Sequence, residues 1–329
     1  MARPRVYVTR HLPGKALEYL ADRCEMTVWD GELPIPADQL RVQVANCEGL
    51  LALLTDRIDD ELLTAGPALR VLSNMATGFD NVDVPAATQR GVLVTRTPGV
   101  LSETTADFAF TLLLAAARRL VEADRYVRKG EWKTWGPETL LGHDVYDTTI
   151  GIVGMGGIGR EMAKRATGFG MRILYNSRER KPDLEQRYSM SFATIDDLLA
   201  ESDFITLHAP LTDQTRHLID ERALKLMKPT AVLVNTARGP LVDQEALYQA
   251  LNEGWIAAAG LDVTDPEPMP PDDPLLTLRN LIIAPHIASA SVATRSRMAM
   301  MAAEQLVEAL DGRKPKHAVN PEAWAGKAR

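Results

Sequence analysis

The sequence predicts an α/β protein with two Rossmann/flavodoxin-like domains built on parallel sheets, the second of them doubly wound. A length of 329 residues corresponds to about two domains at ~150 residues each. Short apolar runs of β-type residues alternate with helical patterns throughout, which is typical of the βαβ units of parallel sheets. Near the middle of the chain an apolar run ends in Gly-x-Gly-x-x-Gly at Gly154–Gly159, and a helical pattern follows at once.

The first series of alternating patterns ends at Thr95. Strands are expected at Val6–Thr9, Met26–Trp29, Leu50–Leu54, Leu69–Met75 and Val92–Thr95. Helices are expected between them at Gly14–Arg23, Ala37–Ala45, Asp59–Ala65 and Val84–Arg90. This order of elements predicts a first domain with a parallel sheet.

A long helix is expected next, over Glu103–Leu120, with Ser102 or Thr104 as its cap. Its residues are almost uniformly apolar, which predicts burial on several sides. The most apolar part, Phe108–Ala117, is too short for a bilayer, which needs ~20 residues. The pattern therefore favours a buried helix rather than a membrane span.

The second series begins at Ile150 and predicts the doubly wound sheet. Six strands are expected, at Ile150–Val153, Arg172–Tyr175, Phe204–His208, Ala231–Asn235, Ala258–Asp262 and Leu281–Ala284. Helices are expected with them at Gly159–Gly168, Ile195–Ala200, Glu221–Met227 and Gln244–Asn252. Six strands separated by helices fit one doubly wound sheet. A final helix is expected over Val292–Leu310, with a stop at Gly312 and a loose tail after it.

The composition narrows the setting and the class of partner. Hydrophobic residues make up 46% of the chain and charged residues 25%, as in ordinary globular proteins. The formal charge of −7 gives no sign of nucleic-acid binding. Cys24 and Cys47 have no metal-ligand spacing and form no secreted disulfide framework, and the first residues resemble a strand rather than a signal peptide. We therefore expect a cytoplasmic protein with no metal site and no membrane or nucleic-acid partner.

The glycine-rich segment is the fingerprint of a dinucleotide-binding turn. Gly154 would allow the tight turn, Gly156 would let the backbone approach a pyrophosphate, and Gly159 would let the helix pack on the strand. The following helix would direct unpaired N–H groups and its positive dipole end at the phosphates.

The end of the second strand of this series predicts which dinucleotide binds. An NAD site has Asp or Glu there to accept bonds from the ribose 2′-hydroxyl, whereas this chain has Asn176 or Ser177. Arg178 and Arg180 follow directly. A hydroxyl with a guanidinium would bind a 2′-phosphate that a carboxylate would repel, so NADP(H) is the expected cofactor and NAD(H) remains possible. The alternative is that both arginines are solvated loop charges.

Three polar residues follow strand ends in the same domain and together predict redox chemistry on a carbonyl. Arg238 is suited to binding a carboxylate through its planar fork. Glu267 lies between Pro266 and Pro268, and a rigid glutamate could orient a histidine and favour its protonated form. His286 could be the proton donor that ketone reduction requires. Each residue alone is more often a surface or structural residue.

Several motifs resemble those of the D-isomer-specific 2-hydroxyacid dehydrogenases, and within that family the glyoxylate/hydroxypyruvate reductases are most similar. The resemblance covers almost the whole chain. The matching segments, besides the glycine-rich turn, are Gly78–Asp83, Glu131–Lys133, Asn235–Gly239, Ala259–Val263 with Pro266–Pro268, and Pro285–Ser289. One departure is Ala288, where the family usually has glycine.

The resemblance implies a discontinuous substrate domain, residues 1–98 and 287–329, around a dinucleotide-binding domain of residues 99–286. It also implies a homodimer built around the cofactor domains and involving the helix Glu103–Leu120. Trp132 or Trp135 could then cross into the partner's pocket and restrict the size of the substrate.

The resemblance also implies residue roles. Arg238 would bind substrate, His286 would be the acid/base and Glu267 its partner, and backbone N–H groups of Met75-Ala76-Thr77-Gly78 would hold the substrate carboxylate, with Ser289 as a further substrate contact. The expected cofactor contacts also include Thr105, Gly157, Ile158, Pro210, Thr215, Thr236, Ala237 and Asp262.

The expected reaction is reduction of a short 2-oxo acid, glyoxylate or hydroxypyruvate, by hydride transfer from NADPH. Another D-2-hydroxyacid dehydrogenase remains an alternative. A phosphite dehydrogenase would share the scaffold but would need a lysine where Met75 and Ala76 stand. A dinucleotide-sensing corepressor, which is not an enzyme, is the alternative from a different class, and it would need a peptide-binding surface that the sequence does not reveal.

Overall fold

The computed structural model describes residues 3–324 and divides into two compact units. One unit contains the chain up to Leu101 together with the segment from Ala290 onward, and the other is Ser102–Ser289. Every strand pairing within the two sheets is parallel. Within the described range, no helix has both the length and the apolar character that crossing a membrane requires. The expected α/β class with two parallel sheets is confirmed.

The strands in chain order are β1 (Arg5–Val8), β2 (Glu25–Val28), β3 (Gly49–Ala52), β4 (Val71–Asn74), β5 (Leu93–Thr95), β6 (Thr149–Val153), β7 (Arg172–Asn176), β8 (Met190–Phe192), β9 (Phe204–Leu207), β10 (Val232–Asn235), β11 (Ala258–Leu261) and β12 (Leu281–Ile283). The α-helices are α1 (Ala16–Ala21), α2 (Ala37–Val44), α3 (Asp60–Ala65), α4 (Val84–Gln89), α5 (Ser102–Ala117), α6 (Leu120–Arg128), α7 (Gly157–Gly168), α8 (Pro182–Tyr188), α9 (Ile195–Glu201), α10 (Glu221–Leu226), α11 (Gln244–Glu253) and α12 (Val292–Leu310). Short 3₁₀ helices lie at Gly239–Leu241, Pro274–Thr277 and Pro321–Trp324.

The first unit has a five-stranded sheet in the order β2-β1-β3-β4-β5. This is the flavodoxin-like strand order. β3 and β4 are buried along their whole length, as strands are when helices cover both faces of a parallel sheet. α12 is returned to this sheet from the far end of the chain, and Ser73 in β4 donates a hydrogen bond to the Ala302 carbonyl of α12 at 2.8 Å.

The tail after Gly312 is not loose as far as Trp324, so that expectation was wrong. Asn320 is fully buried, and its Oδ1 accepts the Val94 amide at 2.8 Å. Its Nδ2 donates to the Val92 carbonyl and to Thr88 Oγ1, both at 2.9 Å. A single asparagine thus fastens the tail to β5 and α4, which a sequence pattern of polar residues does not reveal.

The second unit has a seven-stranded sheet in the order β12-β11-β10-β9-β6-β7-β8. The chain reverses direction across the sheet between β6 and β9, which is the topological switch point where doubly wound sheets bind ligands. β8 and α8 were missed. In β8 only Met190 is buried, and no residue of α8 is buried, so neither element has an apolar period to detect.

The long helix after the first sheet is divided in two. α5 ends at Ala117, Arg119 adopts a left-handed backbone with φ 51°, and α6 follows. Ser102 and Thr104 lie in the first turn of α5, so neither is the residue before it that caps it. α5 is buried on several sides, as predicted. It packs closely on β11, because a Cβ on Gly260 would lie only 3.1 Å from Leu112 Cβ.

Candidate active site

The glycine-rich turn connects β6 to α7 at the switch point. Gly154 has φ +98°, and a Cβ there would lie 2.6 Å from the Ala209 amide nitrogen, so glycine is required. A Cβ on Gly159 would collide with the Gly154 carbonyl and lie 3.4 Å from Ile152 of β6. These two glycines therefore allow the turn and the close approach of helix to strand.

The residues at the start of α7 fit a dinucleotide phosphate. A Cβ built on Gly156 meets no atom within 4 Å, so there is open space where the backbone would face a pyrophosphate. α7 begins at Gly157, extends over 12 residues and has no acidic side chain in its first turn. The unpaired N–H groups and the dipole of this helix end favour an anion.

Two ion pairs lie in the segment after β7. Glu185 binds the Arg180 guanidinium through two contacts, at 2.8 and 2.9 Å, and accepts the Tyr175 hydroxyl at 2.7 Å. Glu179 pairs with Lys181 at 3.0 Å, and Arg178 is exposed. The Ser177 hydroxyl donates to the Glu179 carbonyl at 2.6 Å. Of the two arginines predicted to bind a 2′-phosphate, Arg180 is thus held by a carboxylate.

Asn235 shapes the turn that presents Arg238. It is the fully buried last residue of β10, its Nδ2 donates to the Arg238 carbonyl at 2.8 Å and its Oδ1 accepts the Ala237 amide at 3.0 Å. Arg238 Nη1 donates to the Ala237 carbonyl at 2.7 Å. Thr236 Oγ1 is buried and has no hydrogen-bond partner among residues 3–324. An unpaired buried hydroxyl beside this turn fits a hydrogen bond to a bound dinucleotide.

Asp262 anchors the loop that carries His286. Its Oδ1 and Oδ2 accept the amides of Ile287 and Ala288, both at 2.7 Å, and its carbonyl accepts the His286 amide at 2.8 Å. The side chain is 1% exposed. Burial raises the pKa of this carboxyl, and the two amide bonds act in the opposite direction. The role of Asp262 in bracing this loop was missed, and its predicted cofactor contact stays a prediction.

His286 and Glu267 form the central pair of the site. His286 Nδ1 lies 2.8 Å from Glu267 Oε2, and Oε1 of the same carboxylate accepts the Thr264 amide at 3.1 Å. Burial raises the pKa of Glu267, but the hydrogen bond and charge of His286, with smaller effects of Thr264 and Arg238, outweigh it and lower the pKa overall. Glu267 therefore stays ionised near neutral pH and orients the ring, so Nε2 is the nitrogen that can exchange a proton with substrate.

His208 is a residue that sequence reasoning missed. It follows β9, and its amide donates to the Val153 carbonyl at 2.7 Å, directly before the glycine turn. Nε2 is 2.8 Å from Thr206 Oγ1, while Nδ1 is buried without a partner in the described part of the chain. Burial lowers the pKa of this imidazole to about 3, so the ring is neutral. Its position, a polar residue after an apolar strand, was the signal that could have identified it.

The loop Met75–Gly78 lies in the other unit and is braced mainly through its carbonyls. Ala76 O accepts the Thr97 amide at 2.8 Å, and Thr77 O accepts Arg96 Nη1 at 3.2 Å. The Met75 amide donates to the Ala52 carbonyl, and the Ala76 amide to the Asn74 carbonyl, both at 2.8 Å. Two of the four amides predicted to hold a carboxylate are thus engaged within the protein. Thr77 and Gly78 remain the candidates in this loop.

Four further predicted residues have simple placements. Thr105 is buried in α5. Thr215 Oγ1 donates to the Pro210 carbonyl at 2.7 Å, so it closes its own loop, and Pro210 is exposed. Ser289 is half-buried at the end of the second unit. Their contacts with cofactor or substrate stay predictions.

A glycine turn at a helix end, with arginine, glutamate and histidine after strands of the same sheet, defines a dinucleotide-dependent dehydrogenase. The family model described as D-isomer specific 2-hydroxyacid dehydrogenase, NAD binding domain, matches residues 110–288. The chain is 55% identical over 321 residues to a glyoxylate reductase of Korarchaeum cryptofilum, covering 97% of each chain.

Solved structures agree with this assignment. The TT0316 protein from Thermus thermophilus has 49% identity and a TM-score of 0.91, with 96% of this chain and 99% of that chain covered. An NADPH-dependent glyoxylate/hydroxypyruvate reductase from Sinorhizobium meliloti, in complex with NADP and malonate, has 32% identity and a TM-score of 0.86 over 98% of each chain. The chain belongs to the D-isomer specific 2-hydroxyacid dehydrogenase family, and it is an NAD(P)-dependent oxidoreductase.

Proposed function

We propose that the protein reduces a short 2-oxo acid, glyoxylate or hydroxypyruvate, to the 2-hydroxy acid, with NADP(H) preferred over NAD(H). The observation that carries this proposal is the pair of His286 and Glu267, joined at 2.8 Å in the unit with the glycine turn. Relatives named glyoxylate reductase, about half identical over nearly the whole chain, support the choice of substrate.

The residues of this chain divide the reaction between them. When bound, the nicotinamide supplies a hydride to the carbonyl carbon of the substrate. Glu267 holds Nδ1 of His286, and Nε2 gives its proton to the oxygen that becomes the hydroxyl. Arg238, whose charge also reaches Glu267, binds the substrate carboxylate and stabilises negative charge on the reacting oxygen. The Thr77 and Gly78 amides would add two donors to the carboxylate.

The preference for NADP(H) is proposed to depend on Ser177 and Arg178. No carboxylate follows β7 directly, and Glu179 is compensated by Lys181. Arg178 is exposed beside these residues, and its guanidinium would bind the 2′-phosphate, whereas Arg180 is paired with Glu185. Arg180 would have to leave Glu185 before it could contribute.

The proposed functional organisation is a substrate domain of residues 1–98 and 287–329 and a cofactor domain of residues 99–286, in a cytoplasmic homodimer. Exposed apolar side chains on and after α6 support the dimer. None of the α6 residues is buried, Trp132 is 62% exposed and Trp135 is 79% exposed. Such a surface is typical of an interface. Trp132 or Trp135 would then line the partner's pocket and exclude larger 2-oxo acids.

The test is oxidation of NADPH and of NADH, followed by the nicotinamide absorbance, with a panel of 2-oxo acids of increasing size. We expect the highest kcat/KM with glyoxylate or hydroxypyruvate and NADPH. A higher kcat/KM with NADH would overturn the cofactor preference alone. Dinucleotide binding without turnover of any 2-oxo acid would instead favour the corepressor.

A further inference from the structure

The loop that carries Glu267 is fastened by the first residue of α11, Gln244. Gln244 Nε2 donates to the Asp265 carbonyl at 2.7 Å, and Gln244 Oε1 accepts the Asp265 amide at 2.8 Å. One side-chain amide thus binds both polar groups of one backbone residue, as a neighbouring strand would. From this geometry we infer that Gln244 is a positioning residue, which holds the Glu267 carboxylate in register with His286.

The connection from Gln244 to Glu267 is short. Asp265 lies between Thr264 and Pro266, and these two residues are joined by a hydrogen bond from Thr264 Oγ1 to the Pro266 carbonyl at 2.8 Å. The Thr264 amide in turn donates to Glu267 Oε1 at 3.1 Å. A displacement of the Asp265 backbone therefore changes the direction of the carboxylate through two contacts.

A second contact shows how closely this loop lies on its support. A Cβ on Gly239 would overlap the Thr264 carbonyl, so the loop lies directly on the turn after Arg238. Gly239 limits movement of the loop towards that turn, and Gln244 limits movement away from α11. Gln244 therefore holds the loop of Glu267 against α11 through the Asp265 backbone.

Loss of the Gln244 contacts should alter chemistry more than stability. Asp265 is exposed, so water can replace both hydrogen bonds to its backbone at little cost. Water cannot restore the 2.8 Å distance between Glu267 Oε2 and His286 Nδ1 once the loop has moved. Small errors in the position of reacting groups cost large factors in rate, about 100-fold for 1 Å.

The pH profile distinguishes positioning from a merely structural role. The ionisable groups that face Glu267 are His286, Arg238 and Asp262. His286 and Arg238 lower the pKa of Glu267, so a looser loop weakens both effects and the pKa rises. The pH below which kcat falls should therefore move upward when Gln244 is replaced.

The experiment compares Gln244→Ala and Gln244→Glu with Gln249→Ala, a variant at an exposed position of the same helix. Gln244→Glu keeps an acceptor for the Asp265 amide but places a carboxylate against the Asp265 carbonyl. We expect kcat for glyoxylate reduction to fall about 10- to 100-fold in both Gln244 variants. The acid limb of the pH profile, which is the range where kcat falls with decreasing pH, should shift to higher pH. The Tm and the Kd for NADPH, measured by fluorescence titration, should stay close to the values of Gln249→Ala.

The inference rests on the proposed role of the His286–Glu267 pair. The variant Glu267→Gln distinguishes a failure of the Gln244 inference from a failure of the role of the pair. If Glu267→Gln lowers kcat but Gln244→Ala retains the wild-type kcat and acid limb, the positioning role is wrong and the pair stands. If Glu267→Gln has no effect, the proposed function of the pair is wrong as well. A fall in kcat accompanied by an equal loss in Gln249→Ala would also reject a specific role for Gln244.

Discussion

The His286 amide donates to the Asp262 carbonyl at 2.8 Å, and His286 adopts a left-handed backbone with φ 55°. This conformation is uncommon for a residue with a side chain and persists where surrounding contacts determine it. Asp262 supplies those contacts, because its carboxylate also accepts the next two amides. His286, the proposed proton donor, is thus positioned through backbone amides by a buried aspartate.

Asp262→Asn should weaken this anchor while keeping the size of the side chain. An amide offers one acceptor oxygen, so one of the two loop amides would face an NH₂ group and remain unpaired. A buried donor without a partner costs about 1–3 kcal/mol. We expect a lower Tm by calorimetry and a lower kcat, whereas Asp213→Asn in an exposed loop should change neither. Equal Tm and kcat in the two variants would contradict the role of Asp262.

His286→Gln should remove the proton donor and leave the site otherwise intact. General acid catalysis contributes about 10²–10⁴-fold, so kcat should fall within that range. The Kd for NADPH should change little, because the glycine turn and α7 are formed by other residues. Steady-state kinetics with glyoxylate and a fluorescence titration with NADPH measure the two quantities, and near-normal turnover would exclude His286 as the acid.

Glu267→Gln should change the pH dependence of both activity and stability. The folded protein lowers the pKa of Glu267 below its ordinary value of 4.5. The ionised carboxylate therefore stabilises the fold above pH 4.5, and this contribution is lost as the pH falls through the lowered pKa. The Tm difference between wild type and variant should be present near neutral pH and shrink in acid.

The activity of Glu267→Gln tests the role of the carboxylate independently of stability. Removing the charge from a hydrogen bond to His286 should lower kcat at neutral pH by about 10- to 100-fold. The acid limb of the wild-type profile should disappear in the variant, because glutamine does not titrate. An acid limb that persists unchanged would assign that titration to another group.

The sequence predicted the sheets, the glycine turn and the strand-end residues because each of these leaves a local signal. Buried strands are continuous apolar runs, so a polar residue just after a run is easy to recognise in the sequence. Arg238 and His286 were identified in this way. By the same signal Asn235 and His208 could have been assigned a role. Neither β8 nor α8 buries enough residues to be detected.

The braces of the site could not be predicted because they join residues distant in the chain. Asp262 and Ala288 are 26 positions apart, and Gln244 and Asp265 are 21 apart. No spacing or composition links such pairs until the fold brings their strand ends and helix ends together. The pairing of Arg180 with Glu185 could not be predicted either, although the two residues are only five positions apart. The sequence shows that both charges are present but not that their side chains meet.

Arg178→Ala and Arg180→Ala should differ in their effect on 2′-phosphate binding. Arg180 is held by two contacts to Glu185, whereas Arg178 is exposed. We expect Arg178→Ala to lower the kcat/KM ratio of NADPH over NADH, and Arg180→Ala to change it less. Binding of 2′,5′-ADP and of 5′-ADP by calorimetry provides a readout apart from turnover. The opposite order of effects would show that Arg180 leaves Glu185 when the cofactor binds.

Asn320→Ala should release the C-terminal tail from the first unit. The substitution leaves the Val94 amide and the Val92 carbonyl without the partner that each has in the fold. Each unpaired buried group costs about 1–3 kcal/mol, and a loss of about 2 kcal/mol lowers the Tm of a domain this size by about 4–8 °C. Asn252→Ala, at an exposed position of α11, is the matched control and should leave the Tm unchanged. Because Asn320 also binds Thr88, faster proteolysis of the tail should accompany the lower Tm, and a tail as resistant as in wild type would show that other contacts hold it.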